Sequence, residues 1–213
     1  MSEFQGFSKQ DFEVFTIPGL ENRMTALREQ ISPKLEAIAE DLAPDLTILT
    51  GDEMHVHVAK HARRSKNPPN DTWAAIAANK RGYKKLPHFQ VGLWETHVFI
   101  WFAVIYENPL KEQFGNNLLH QKEEIRSLIP EDFEWSLDHT KPETIADSRV
   151  DEDKFIHMAE RLKTVKKAEL LCGRRLERED ERLRDPESFL QLCRNTFETL
   201  IPLYRLTNEN KAR

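Results

Sequence analysis

The chain has 213 residues, of which 31 are basic and 36 acidic, giving a net charge of −5. This length allows one domain with its own apolar core, which needs no disulfide or metal to fold, and the 39% hydrophobic content excludes extended disorder. Only 7 residues are glycine, about 3% against a usual ~7%, which disfavours folds that bind phosphates on glycine-rich loops.

The first third predicts helices and short strands. A strand is expected over 12–17, which is rich in Phe, Val, Ile and Thr and ends at Pro18-Gly19. Apolar residues at steps of three and four then predict a helical stripe over 20–42, interrupted at Ser32-Pro33. Two further strands are expected over 46–50 and 53–61, joined by a turn at 51–52.

The middle third predicts a short helix followed by a hairpin. The helix is expected to be capped by Asn70 or Asp71, to run through Trp73 and to end near Gly82. Segments 87–94 and 97–106 predict a β-hairpin whose second strand is apolar on both faces, typical of a central strand. A helix opening at 108–109 and a strand over 133–137 complete this part.

The last third is predicted to be mostly helical. Apolar stripes over 155–165 and 186–204 predict two helices, and the 11 acidic and 10 basic residues between 151 and 187 are typical of a solvated helical face. Hairpin signals outnumber βαβ signals. The predicted fold is therefore α+β, a single domain over 1–213 with a largely antiparallel mixed sheet flanked by helices and a helical C-terminal third.

Targeting signals are not found in the sequence. The N-terminus lacks the basic and apolar regions of a signal peptide, and the longest apolar run, 98–106, has nine residues where a membrane helix needs about 20. Cys172 and Cys193 both lie in apolar surroundings and are expected to be buried, reduced thiols. We therefore expect a cytoplasmic protein that does not bind membranes.

The charge is most uneven over 60–88. This segment holds eight cations and one acid, Asp71, so it carries +7 while the remainder of the chain carries −12. Such a patch concentrates anionic ligands, arginine suits phosphate oxygens, and interleaved aromatic rings can stack on a base. The predicted helix start near Thr72 would add a weak positive dipole. The candidate anion-binding residues are His57, Lys60, His61, Arg63, Arg64, Trp73, Lys80, Arg81, Tyr83, Lys84, Lys85 and His88.

The favoured function is binding of a phosphate-bearing ligand, a nucleotide or RNA. Duplex DNA is an unlikely partner, because an overall pI of about 5.9 does not suit a protein that must cover many phosphates. The alternative without a ligand is a solvated basic loop whose cations pair with acids elsewhere. A further alternative is an interaction module that places the same charges on an acidic protein partner.

A histidine cluster offers an enzymatic alternative. On a strand over 53–61, His55, His57 and His61 share one face, and His88 with Gln90 could face the same side. A metal or acid-base site could form there, but the neighbouring positive charge discourages a cation, so no metal is assigned. Phosphate-binding loops, nucleophile elbows and C-x-x-C motifs are not found, so catalytic residues and cofactors stay unassigned.

Several long strings of residues form a recognisable pattern that spans the chain and is densest from about 11 to 110. They are Asp11-Phe12-Glu13-Val14-Phe15, Gly19-Leu20, Arg23-Met24, Pro33-Lys34-Leu35, His57-Val58-Ala59-Lys60-His61, Arg63-Arg64, Asn67-Pro68-Pro69-Asn70-Asp71-Thr72-Trp73, Lys80-Arg81-Gly82-Tyr83-Lys84-Lys85, Pro87-His88-Phe89-Gln90, Gly92-Leu93-Trp94 and Ile105-Tyr106-Glu107. With these strings the chain resembles the YktB-like family of uncharacterised bacterial proteins. The resemblance implies an α+β fold loosely like that of biotin ligases and class II tRNA synthetases, and it implies no established activity, cofactor or catalytic residue.

Overall fold

Seven strands form one open sheet in the computed structural model, which describes residues 3–207. Their order across the sheet is β1-β2-β3-β4-β7-β5-β6, and every pairing between described strands is antiparallel. The sheet is thus wholly antiparallel in this part of the chain, where a mixed sheet was predicted. The strands are β1 (His55–Val58), β2 (Asp71–Ala77), β3 (His88–Trp94), β4 (His97–Val104), β5 (Glu134–Ser136), β6 (Ile145–Ala146) and β7 (Leu170–Glu177).

Helices pack against one face of this sheet. Within the described residues, α3 and α7 pack against each other, α3 packs on β1 and β2, α7 packs on β4 and β7, and α4 packs against α6. The helices are α1 (Lys9–Glu13), α2 (Leu20–Ala26), α3 (Ser32–Thr50), α4 (Lys111–His120), α5 (Lys122–Leu128), α6 (Glu152–Thr164) and α7 (Pro186–Leu206), with a π-helical turn over Leu27–Ile31 between α2 and α3.

The central strand β4 shows how the two faces differ. Ile100 and Phe102 belong to the main core under the helices, which extends from Phe4 to Leu206. Phe99 and Trp101 point to the opposite face, because successive side chains of a strand alternate, and they form a second apolar cluster with Leu171 and nearby indole rings. The prediction of a central strand covered on both sides is confirmed.

The predicted α+β class, the hairpin of β3 and β4, the strand β5 and the helices α4, α6 and α7 are confirmed. Both cysteines are buried and unpaired, as predicted. No helix within residues 3–207 is long and apolar enough to cross a membrane.

Two predicted N-terminal strands are wrong. Residues 12–16 lie in α1 and a following 3₁₀ turn (Val14–Thr16), because a capping box in which Ser8 and Asp11 exchange hydrogen bonds starts a helix just before them. Residues 46–50 form the last turn of α3, which ends at Gly51 in the left-handed conformation (φ 77°). The strand predicted over 53–61 is shortened to β1.

The predicted helix over 71–82 is also wrong, because this segment begins with β2. Ala74, Ala75 and Ala77 suggest a helix locally, but β1 and β3 flank this segment and supply its backbone hydrogen bonds. The charged segment 151–187 contains β7, which the sequence pattern did not predict. Its first half is buried, whereas Arg174 and Arg175 are only partly covered.

Candidate functional site

A basic groove lies beside the edge strand β1. This cavity of about 920 Å³ is walled by β1, the segment 79–86 and the α3 residues Glu36 and Glu40. Seven of the twelve predicted anion-binding residues line it, so the structure brings together most of the charged residues that the sequence grouped. They are His57, Lys60, Lys80, Arg81, Tyr83, Lys84 and Lys85.

The groove cations are mostly free of ion pairs. Of the eight cations between 60 and 88, only Lys84 has an acidic partner among the described residues, with its Nζ 3.6 Å from Glu107 Oε1. Pairing with distant acids is therefore not observed for the other seven. Five cations face two carboxylates in the groove lining, which leaves an excess of positive charge there.

The remaining predicted residues lie around the groove. His61 lines a neighbouring pocket of about 480 Å³ that also includes Lys60, and one of its ring nitrogens, Nε2, lies 3.1 Å from Thr72 Oγ1. Burial, with a smaller effect of Arg64, lowers the pKa of His61 to about 4. Arg63 and Arg64 are exposed and lie outside the groove lining.

The three clustered histidines do not converge. His57 Nε2 donates to the Asn79 carbonyl oxygen at 2.8 Å, while His61 lies beyond the end of β1 with a positive φ of 47° and contacts Thr72. Within residues 3–207, the only group with metal-compatible geometry is Asp138, His139 and Glu169, but two of its ligand atoms already form a hydrogen bond with each other.

Tyr83 separates the groove from the open face of the sheet. Its hydroxyl accepts a hydrogen bond of 2.9 Å from Trp73 Nε1, and its ring centroid lies 4.8 Å from that of His88 and 5.6 Å from that of His57. Burial raises the pKa of Tyr83 to about 12, so the phenol is neutral. The helix dipole predicted near Thr72 is not available, because this residue belongs to β2.

On the far side of Tyr83, the open sheet face forms a second site, which we name the sheet-face crevice. It encloses about 20 Å³, enough for about one water molecule, between the sheet and the segment 138–144. Aromatic rings and a few polar groups line it. They are Asp71, Trp73, Gln90, Trp94, His97, Phe99, Trp101, Ser136, His139, Lys141, Pro142, Thr144 and Leu171.

His88 fixes the orientation of the side-chain amide of Gln90, its neighbour on β3, in the crevice. Fully buried His88 donates from Nδ1 to the Leu86 carbonyl oxygen at 2.8 Å, so its Nε2 accepts the 2.8 Å hydrogen bond from the Gln90 amide nitrogen. Burial lowers the pKa of His88 to about 4, which keeps the ring neutral. Gln90 Oε1 has no partner among the described residues and is left as an acceptor.

Asp71 supplies the crevice with a buried carboxyl. The residue is 7% exposed, and apart from its own backbone N–H no group within residues 3–207 donates a hydrogen bond to its carboxylate. Burial raises the pKa of Asp71 to about 6, although the charges of Arg64 and His139 oppose the shift. The carboxyl therefore titrates near neutral pH.

His139 faces the same crevice and is held by a carboxylate. Buried Glu169 accepts hydrogen bonds from the His139 backbone N–H at 3.0 Å and from its Nδ1 at 2.7 Å, and also from the Tyr106 N–H at 3.3 Å. Burial lowers the pKa of His139, but the hydrogen bond and charge of Glu169, with Asp71 and Asp138, outweigh it and leave this pKa above its ordinary value.

The sequence analysis missed most of this crevice. It counted Asp71 only as the one acid of a basic segment and did not single out His139 or Glu169. One signal was present: Glu169 directly precedes the apolar run Leu170-Leu171, and a carboxylate beside a buried strand needs a partner.

The comparison with protein families agrees with the YktB-like resemblance. A family model described as a domain of unknown function, DUF1054, matches residues 7–204. The chain belongs to the DUF1054 family. Proteins similar to this DUF1054 chain include a UPF0637 protein of Bacillus velezensis, 54% identical over 95% of this chain and 97% of its own length. Others are UPF0637 proteins of Bacillus licheniformis, 53% identical over 95% of this chain and 96% of the relative, and of Bacillus cereus, 49% identical over 96% and 98%.

Proposed function

We propose that this DUF1054 protein binds a phosphate-bearing ligand, a nucleotide or RNA, in the basic groove, and that it does so in the cytoplasm. The observation that supports the proposal is the convergence of five cations on one cavity, four of them without an ion-pair partner in the described part of the chain. An incoming anion gains the most binding free energy from exposed cations without partners, since no existing ion pair has to be broken.

The shape of the groove favours a small or single-stranded ligand. Concave walls surround the cations, and the Tyr83 ring offers a flat surface in the lining on which a base or sugar can pack. Glu36 and Glu40 on the opposite wall would repel a ligand that fills the groove with negative charge. A duplex, with its regularly spaced phosphates, fits this mixed lining less well.

The proposal is tested by calorimetric titration with adenosine 5′-monophosphate, inorganic phosphate and a 5′-phosphorylated RNA hexamer. We expect Lys80→Ala with Lys85→Ala to weaken AMP and RNA binding about tenfold or more. Arg63→Ala with Lys66→Ala removes the same charge from the same segment outside the groove lining. This control is expected to change the affinity about twofold at most.

Two results would contradict the proposal. One is the absence of binding of all three probes to the wild-type protein. The other is an equal loss of affinity in the groove variant and in its control, which would mean that net charge attracts the anions and that the groove does not. An acidic protein partner, in contrast, would lose binding in both double variants, because both contribute to the exposed basic surface.

A further inference from the structure

We propose that the sheet-face crevice is a catalytic site that hydrolyses a phosphodiester, with Asp71 as the general base and His139 as the general acid. This inference rests on the proposed function, because the basic groove would hold a second phosphate of the same substrate. The substrate class is therefore a short single-stranded RNA or a dinucleotide.

The first argument is the pairing of two titratable groups in one cavity. Asp71 and His139 both line the crevice, Asp71 with a buried carboxyl and His139 with its Nδ1 fixed on Glu169. A base that is ionised and an acid that is protonated at the same pH are what general acid-base catalysis needs. Aromatic walls from Trp73, Trp101 and Phe99 limit bulk water and strengthen the electrostatics of these two groups.

The second argument is the fixed orientation of His139. Since Nδ1 donates to Glu169, Nε2 is the ring nitrogen left for a substrate, and no described residue bonds to it. Glu169 is itself buried and bonded to two backbone N–H groups, so it cannot easily move away. Glu169 is thus a positioning residue, which sets the tautomer of His139 and favours its protonated form.

The third argument is the size of the cavity. The enclosed space of about 20 Å³ accommodates about one water molecule, and Asp71 and Gln90, whose Oε1 has no partner among the described residues, are among the polar residues that line it. The crevice as it stands thus suits a nucleophilic water better than a whole ligand. The substrate would lie at the mouth and extend towards the groove.

The two cavities adjoin at Tyr83 and Trp73. Tyr83 lines the groove, bonds to Trp73 in the crevice wall and packs on His88, whose partner Gln90 also lines the crevice. A strand with one phosphate among the groove cations would pass over these two side chains to place the next phosphodiester at the crevice mouth. Lys141 at the crevice lies with its Nζ 3.4 Å from Asp138 Oδ2 and would have to leave this carboxylate to contact the substrate.

In the proposed step, the water oxygen attacks phosphorus as its proton passes to the Asp71 carboxylate. The bond between phosphorus and the leaving oxygen breaks, and the proton on His139 Nε2 passes to that oxygen, so that a phosphomonoester and an alcohol are released. Asp71 then loses its proton to solvent and His139 regains one from it, which restores both groups.

The test uses the purified full chain with bis(p-nitrophenyl) phosphate and diphenyl phosphate. Asp71→Asn is expected to lower kcat about 100-fold or more on both diesters, a typical effect of removing a general base. His139→Gln is expected to lower kcat more on diphenyl phosphate, since phenolate is the poorer leaving group and depends more on protonation. His157→Gln, on the exposed surface of α6, is the matched control and should have no effect.

Glu169→Gln tests the positioning role through the pH profile. The groups near His139 are Glu169 before β7, Asp71 in β2, the adjacent Asp138 and the neutral His88 in β3; those near Asp71 are Arg64, His139 and Tyr83. Loss of the Glu169 charge should move the alkaline limb of the kcat profile to lower pH. A purely structural role of Glu169 would lower kcat without moving that limb.

Absence of turnover of both diesters by the wild-type protein would overturn the inference, as would full activity of Asp71→Asn. The proposed function has a separate readout. If AMP binds in the groove and no diester is cleaved, only the catalytic inference fails. If Asp71-dependent cleavage occurs but Lys80→Ala with Lys85→Ala leaves the AMP affinity unchanged, the proposed function fails and the groove is not part of the site.

Discussion

The basic groove and the sheet-face crevice lie on two sides of Tyr83 but are built in opposite ways. The groove takes its cations from a short stretch, 60–85, and leaves four of the five in solvent without an ion-pair partner among residues 3–207. The crevice takes its polar groups from positions as far apart as 71 and 139 and encloses them beside indole rings, with Asp71 buried and His139 half-buried. A patch of exposed charge needs only cations that lie within about one Debye length of one another, which neighbours in sequence provide. A buried titratable group needs side chains from several elements around it and therefore requires the complete fold.

The largest expected effect comes from the floor of the crevice. Gly173 lies in β7 opposite Trp101, and a Cβ at this position would overlap the Ile100 carbonyl oxygen and the Trp101 ring. We expect Gly173→Ala to destabilise the protein by about 3 kcal/mol, the upper end for overpacking, because a central strand cannot shift away. Urea unfolding monitored by tryptophan fluorescence measures the change.

The matched control lies in the groove loop. A Cβ on Gly82 would meet no atom within 4 Å, so Gly82→Ala is expected to change stability by about 0.5 kcal/mol or less. Equal effects of the two substitutions would mean that the crevice floor is no more tightly packed than the loop, and the contrast between the two regions would be lost.

The next expected effect is the pH dependence of stability that comes from the buried carboxyl of Asp71. Because the pKa of Asp71 is raised from 3.8 to about 6, the folded protein holds this proton more tightly than the unfolded chain does. The associated stability is present below about pH 4 and is lost as the pH rises through about 6, a change of about 3 kcal/mol. Asn cannot ionise, so Asp71→Asn should gain stability over wild type as the pH rises from 4 to 7.

Asp138→Asn provides a control of opposite sign. Burial raises the pKa of Asp138, but hydrogen bonds from Thr140 and Lys141 outweigh it and leave this pKa below its ordinary value. The stability that this pKa shift supplies is complete above about pH 4, so Asp138→Asn should lose stability relative to wild type as the pH rises to about 4 and change little above it. Urea unfolding at about pH 3, 4.5 and 7.5 gives both differences, and a pH-independent difference for Asp71→Asn would show that its carboxyl is not buried as described.

The fold class could be predicted because its main signals are local. The hairpin of β3 and β4 and the helices α6 and α7 each carry their own apolar pattern. The segment 71–77 could not be assigned correctly from its alanines, since only pairing with β1 and β3 makes it a strand. The charged residues of β7 likewise indicated a solvated helical face, although this segment is a central strand.

In the candidate site, too, the features with local sequence signals could be predicted and those created by long-range contacts could not. Lys80, Arg81, Lys84 and Lys85 were predicted together and lie together, because a short loop cannot carry them apart. His139 has no local pattern, and its partner Glu169 lies 30 residues further along the chain. Contacts of this kind are created by strand order, in which β7 inserts between β4 and β5 against the order of the sequence.

The third effect is the salt dependence of groove binding. If Lys80 and Lys85 both contact phosphates, their replacement by Ala should reduce the slope of log affinity against log salt by about 1.4 for a 5′-phosphorylated RNA hexamer. Fluorescence anisotropy between 50 and about 300 mM salt measures the slope. The control Arg63→Ala with Lys66→Ala should leave it unchanged, and an unchanged slope in the groove variant would place the phosphates elsewhere.

The smallest effect comes from the single ion pair of the groove segment, Lys84 with Glu107 at 3.6 Å. Both side chains are partly exposed, so Glu107→Gln should cost less than about 1 kcal/mol of stability. The same change releases Lys84 for an incoming anion and should tighten AMP binding by about twofold. Calorimetric titration measures the affinity, with Glu112→Gln on α4 as the control, since Glu112 does not line the groove. Weaker AMP binding in Glu107→Gln would mean that Glu107 holds Lys84 in place for the ligand, and the groove would then be preorganised in the same way that the crevice is.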